Sequence, residues 1–150
     1  MEQTKQVIRN GATTALGLFS GAMLLIAVAI MPYWKSLNGE SYRASFQAIG
    51  PYFGSVMVPL MLVAIVLSAI ATFSRNDSIS RTVVTFCLVA LIVPLYLVFS
   101  APINAELLGN SPLSEPLIIQ LRGQWFFWHW TRTLLGTGAF LLTVFGRARS

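Results

Sequence analysis

The chain has 150 residues, of which 55% are hydrophobic and only 10% carry a charge. A water-soluble domain carries about 25% charged residues to cover its outside, so the composition excludes an ordinary soluble globule and leaves lipid as the solvent for most of the surface. The net charge of +5 does not mark a nucleic-acid partner: the basic residues are scattered near the ends of apolar runs, with no stripe and no nucleic-acid motif.

Charge-free stretches define the elements. No Asp, Glu, Lys or Arg falls between Arg9 and Lys35, between Arg43 and Arg75, or between Arg81 and Glu106. Crossing the hydrocarbon core takes about 20 apolar residues, so each gap accommodates one crossing. The first is predicted at 12–31. A basic start before an apolar run, with Ala27-Val28-Ala29 further on, also resembles a signal peptide. The run is longer than a signal core, so it is expected to be retained as a crossing. Gly17 and Gly21 have the small-xxx-small spacing that lets helices approach closely.

An outer loop is expected at 32–51, with a short interfacial helix at 41–49. The second crossing is predicted at 52–73, kinked at Pro59, which removes a backbone hydrogen bond. The polar connection 74–80 is short enough to force crossings two and three into antiparallel contact. The third crossing is predicted at 82–99 with a kink at Pro94. A longer outer loop, 100–124, carries Pro102, Asn104, Pro112 and Pro116. The fourth crossing is predicted at 125–145. The fold expected is all-α: an integral membrane, antiparallel four-helix bundle forming a single domain over 1–150.

The distribution of Lys and Arg sets the orientation. Lys5, Arg9, Arg75, Arg81, Arg147 and Arg149 lie on the side of the two ends; Lys35, Arg43 and Arg122 lie on the other. Both termini are therefore expected in the cytoplasm, in a multi-pass protein of the inner (plasma) membrane. The lone Cys87 can form no internal disulfide, and neither a zinc pattern nor a second histidine accompanies His129, so no metal site is expected.

Polar groups are costly inside a membrane and each needs a reason. They concentrate at the start of the fourth crossing, where Trp125, His129 and Arg132 are spaced i, i+4 and i+7 and share a helix face, with Trp128 beside them. Arg132 lies about two turns inside the crossing and needs a partner within the bundle or a path to the headgroups. Asn104, at the outer end of crossing three, falls at the same depth. Tyr33, Trp34 and Tyr52 lie on the same outer side. Two readings stay open: a polar pocket lined by Asn104, His129 and Arg132 with aromatic walls from Trp125, Trp128, Tyr33 and Trp34, or an aromatic belt with structural polar bonds. A direct Asn104–Arg132 bond without a cavity would favour the second. Removing Arg132 is expected to destabilise the protein or abolish its function, since its partners would be left unpaired in an apolar medium. No phosphate loop, dinucleotide fingerprint or nucleophile elbow occurs.

Four crossings in about this length, Pro102-x-Asn104 after the third, and Trp125 followed by Arg132 at the start of the fourth resemble the anthrone-oxygenase-like membrane family. The resemblance implies a cofactor-independent oxygenase acting on a hydrophobic aromatic compound. Asn104, His129 and Arg132 would then be the catalytic group, and Trp125, Trp128, Tyr33 and Trp34 the substrate walls. The alternative is a non-catalytic membrane binding or accessory subunit. A homo-oligomer is left open, and the lipid bilayer is the one partner common to both readings.

Overall fold

A computed structural model describes residues 2–73 and 79–145, with side chains placed at 3–72 and 83–145. The connection 74–78, on which the antiparallel expectation for crossings two and three rested, lies outside the described residues, as does 146–150 with its two arginines. Every described element is helical: α1 (Glu2–Leu25), a π-helical turn (Ile26–Ile30), α2 (Met31–Ser36), α3 (Gly39–Phe73), α4 (Ile79–Leu95), a second π-helical turn (Tyr96–Ser100), α5 (Ala101–Leu108) and α6 (Glu115–Phe145).

The two expected outer loops shrink, because helix extends into both. The π turn joins α1 to α2, and only Leu37 and Asn38 separate α2 from α3. The residues expected as an interfacial helix, 41–49, are the first turns of α3, which continues through Pro51 and Pro59. In the second loop, helix persists to Leu108 and resumes at Glu115.

The departures from α-helical bonding come at neither Pro59 nor Pro94 but just ahead of Pro32 and Pro102. A proline has no N–H to give and its ring clashes with the carbonyl four residues back. Each π turn widens the ladder at that point. The N–H of Met31 bonds the carbonyl of Ile26, and that of Ala101 bonds the carbonyl of Tyr96, five residues back in both cases. The rods α1–α2 and α4–α5 thus share one design, a five-residue π turn followed by a short helix with proline near its start.

Three stretches, Gln3–Ser36, Gly39–Thr72 and Val83–Leu108, are long and apolar enough to cross a membrane, as befits a membrane protein. Only 17% of the most apolar window of Gly39–Thr72 is buried inside the molecule, so most of its apolar side chains face outward. Helix α6 is equally long but less apolar, interrupted by Gln124, His129, Arg132 and several threonines.

α1 packs on α3 and α6, and α4 packs on α3 and α6. Along α1 and α6 the neighbours Gly17 and Phe140, Ser20 and Gly136, and Met23 and His129 follow in opposite numerical order. The core has three tiers. Ala15, Leu16, Ala64, Val89 and Ala139 form one. Phe19, Met23, Met61 and Ile92 form the next. An aromatic tier around Trp34, Tyr42, Phe46 and Trp125 lies at the end of the molecule where α2 and α5 finish.

Two arginines tie that end together. Arg43, in the first turns of α3, donates to the carbonyls of Leu107, Gly109 and Ser111 at 3.2, 2.6 and 2.8 Å. Arg122, on α6, donates to the carbonyls of Trp34 and Leu37 at 3.2 and 2.7 Å. A helix leaves its last four carbonyls without intrahelical donors; here Arg43 on α3 serves the end of α5 and Arg122 on α6 serves the end of α2. Glu115 accepts from the Gly39 N–H at 2.6 Å.

Candidate functional site

Between the aromatic tier and the middle tier the packing opens into a pocket of about 80 Å³, lined by residues that include Trp34, Tyr96, Asn104, Trp125, His129 and Arg132. Of the residues singled out in the sequence, Asn104, His129, Arg132, Trp125 and Trp34 therefore come together. Tyr33 and Trp128 do not. Tyr33 is 56% exposed on the outside of the molecule. Trp128 stacks on Phe99, ring centres 3.8 Å apart, and is absent from the lining. The helix period explains Trp128: three residues past Trp125 and one before His129, it falls to the flank of their face.

His129 is almost fully buried and its Nε2 lies 3.0 Å from the carbonyl of Met23 on α1. A carbonyl can only accept, so Nε2 carries the hydrogen. In the neutral ring this leaves the lone pair on Nδ1. The imidazole is also stacked on Trp125, centres 4.9 Å apart and planes 13° from parallel. Tautomer and ring plane are thus both held from outside the residue.

Trp125 Nε1 in turn donates to Asn104 Oδ1 at 2.9 Å. A direct Asn104–Arg132 bond, the feature that would favour a purely structural reading, is not formed; the amide oxygen accepts from Trp125 instead. With Oδ1 already accepting from the indole, the amide of Asn104 keeps both of its N–H donors for other partners.

Arg132 is 7% exposed. Its Nε donates to the carbonyl of Trp128, one turn back on the same helix, at 3.2 Å. Its guanidinium carbon lies 5.6 Å from the centre of the Tyr96 ring, a cation–π contact. Among the described residues its two terminal nitrogens have no hydrogen-bond partner, and no carboxylate neutralises it. This is the sharpest feature of the site. The residue is buried, but these nitrogens keep some accessible surface where the side chain lines the pocket, so the charge is unpaired without being sealed in, and a buried charge is normally paired.

The remaining walls are apolar. Trp34 is fully buried, with the rings of Tyr42, Phe46, Phe53 and Trp125 between 5.4 and 6.3 Å from its own, and its Nε1 donates to Ser45 Oγ. Phe53, Met57 and Tyr96 also line the pocket. The sequence alone had not marked them. Phe53 and Met57 sit in an apolar run where every face looks alike. Tyr96 carried a signal, a phenol inside a charge-free crossing two residues after Pro94.

No group of His, Cys, Asp and Glu suited to holding a metal ion occurs among the described residues. A protein-family model described as anthrone oxygenase matches residues 50–142. That span holds the second half of α3, all of α4 and α5, and nearly all of α6. No curated protein and no solved structure matches the chain.

Proposed function

The chain belongs to the anthrone oxygenase family, and from that premise we propose that it is a cofactor-independent oxygenase which takes up a hydrophobic keto-aromatic compound from the bilayer and oxidises its activated methylene to a carbonyl. The observation that carries this reading is the unpartnered guanidinium of Arg132 beside a histidine of defined tautomer, inside an aromatic pocket. The setting is an integral membrane, antiparallel four-helix bundle with both ends in the cytoplasm. The three apolar stretches and the opposed order of contacts between α1 and α6 support it.

The chemistry needs three things: a base, donors for a developing oxyanion, and a dry, flat cavity. Nδ1 of His129 takes a proton from the methylene that lies across the ring from the ketone and is conjugated with it through the fused aromatic rings. The electron pair moves onto the ketone oxygen, where the terminal N–H groups of Arg132 and the amide N–H of Asn104 donate to it. The resulting enolate reduces dioxygen and forms a carbon–oxygen bond, leaving a hydroperoxide on the ring carbon after protonation by the imidazolium. Loss of the second methylene proton then expels hydroxide from the hydroperoxide and forms the new carbonyl. One dioxygen is consumed; one of its atoms stays in the product and the other leaves in water.

The polar contacts also support a second reading, a non-catalytic binding subunit, because the Trp125–Asn104 bond braces two helices whether or not chemistry occurs. Turnover separates the two. Purified protein in nanodiscs is given a model anthrone, and quinone formation is followed by absorbance. His129→Gln keeps a donor for the Met23 carbonyl and should keep the fold, while the loss of a general base should lower turnover roughly a hundredfold or more. Equal rates for the variant and wild type would end the base assignment. A wild type without turnover would end the oxygenase reading.

A further inference from the structure

We propose that the pocket has its mouth in the side of the molecule, in a cleft between α3 and the second π turn, and that a planar aromatic ligand reaches Arg132 edge-first from the lipid, its far ring remaining in the cleft beside Gly54. This rests on the reading of the pocket above and specifies how it is filled.

The first ground is the face of α3 turned toward the α4–α5 rod. Arg43 and Gln47 reach across it to the carbonyls of Leu107 and Gly109. Continuing along α3 at helical spacing, the next positions on that stripe are Gly50, Gly54 and Val58. All three are half-buried pocket residues. A Cβ placed on Gly50 would meet only Phe46 of its own helix, and one placed on Gly54 would meet nothing within 4 Å. The α3 side of the cleft therefore carries no side chain at Gly50 or Gly54, and the first one beyond them is Val58.

The second ground is the opposite side. α3 packs against α4 before the π turn and against α5 after it, while the turn Tyr96–Ser100 packs against α6. The turn itself thus packs on α6 more than on α3. Tyr96 is the residue of that turn that lines the pocket.

The third ground is independent of the glycines and points to a ligand. Arg132 is 93% buried by its 7% exposure and lines the same pocket with its terminal nitrogens unpartnered. Such donors call for an acceptor oxygen that arrives with the ligand. The fourth is size. A closed cavity of roughly 150 Å³ holds a single benzene ring, and here the pocket measures about 80 Å³. It has room for the oxygen-bearing edge of a ring and none for a fused ring system as a whole. The remainder must project through the mouth, where the flanking residues are two glycines, a valine and a tyrosine. A ligand that is apolar at one end and bears an acceptor oxygen at the other suits both the lipid side and the guanidinium.

The test uses full-length protein in nanodiscs, titrated with the dye alizarin, a planar three-ring ketone with phenolic oxygens, and read by quenching of tryptophan emission. Gly54→Leu fills the cleft and should weaken binding about tenfold or more, as expected when a close-packed site is overfilled. Gly54→Ala adds a methyl into open space and should bind within about threefold of wild type. Gly21→Leu is the control: Gly21 is equally free of neighbours but lies on α1 outside the pocket, and its binding should not change. If Gly54→Leu does not fold, judged by melting, Val58→Phe replaces it with the same expectation. Wild-type affinity in the cleft-filling variant overturns the side mouth. A wild type that does not bind alizarin overturns it too. A wild type that binds the dye but turns over no anthrone leaves the mouth standing and removes only the oxygenase reading.

Discussion

Arg132 shows how a single side chain changes meaning between sequence and structure. From the sequence, a guanidinium two turns into an apolar run has to be paired, and deleting it should strand its partners. In the fold its only hydrogen bond goes to a carbonyl of its own helix, and its one other contact of note is the face of the Tyr96 ring, which needs no charge to stay in place. The sign of the stability effect therefore reverses. An uncompensated buried charge is a cost, so replacing it with an apolar side chain of similar volume should be neutral or stabilising, as replacing buried ion pairs by apolar residues often is. Arg132→Met should thus melt at or above the wild-type temperature while losing turnover and dye binding. A variant that melts well below wild type would show that the guanidinium holds the bundle together after all. Residues that keep an unpaired charge at the expense of stability are those expected at functional sites.

His129, Asn104 and Arg132 were legible in the sequence for one physical reason: a polar group in an apolar run stands out, and helical spacing places it on a face. The partners of those groups were not legible. Asn104 was matched with Arg132 by depth, whereas the structure pairs it with Trp125, because indole nitrogen positions depend on rotamers that spacing does not specify. Trp34 lines the pocket while its neighbour Tyr33 faces outward, a distinction that depends on the π turn just before them.

Among the elements, the largest departures come where prolines and polar residues suggested loops. The reading of 32–51 and 100–124 as outer loops treated Pro32 and Pro102 as helix ends. Each is instead absorbed by a π turn, and after the turns helix continues as α2 for six residues and as α5 for eight. That continuation carries Trp34 and Asn104 inward, each two residues after its proline. The short junction between α2 and α3 has its own requirement. A Cβ on Gly39 would sit 2.6 Å from Oε2 of Glu115, so only glycine lets that carboxylate reach the start of α3. Gly39→Ala should push Glu115 aside and leave the Gly39 N–H without its charged acceptor. A loss of about 1–3 kcal/mol, the usual penalty for breaking a charge-assisted bond, would appear as a lower melting temperature. Gly39→Ala combined with Glu115→Gln should lose less than the sum of the two single changes, because the two residues share one interaction.

For the whole molecule, composition was the most informative property. Too few charges to cover a globule and three long charge-free runs pointed to helices in lipid, and the described residues are helical with three stretches of crossing length. The fourth run is weaker because α6 carries the polar residues of the site. Its membrane placement therefore calls for a direct measurement. Reporter fusions should place the carboxyl end in the cytoplasm and an insertion at 109–114 on the opposite side. A carboxyl-terminal fusion active on the outer side would reverse the proposed orientation.

The crossed arginines have a consequence for how the chain comes into being. Arg43 belongs to the first hairpin and holds the last carbonyls of α5; Arg122 belongs to the second and holds those of α2. During synthesis α2 is finished long before Arg122 leaves the ribosome, so the tip of the first hairpin waits with bare carbonyls beside Trp34. The carbonyls of Trp34 and Leu37 thus gain these side-chain donors only once α6 has been made.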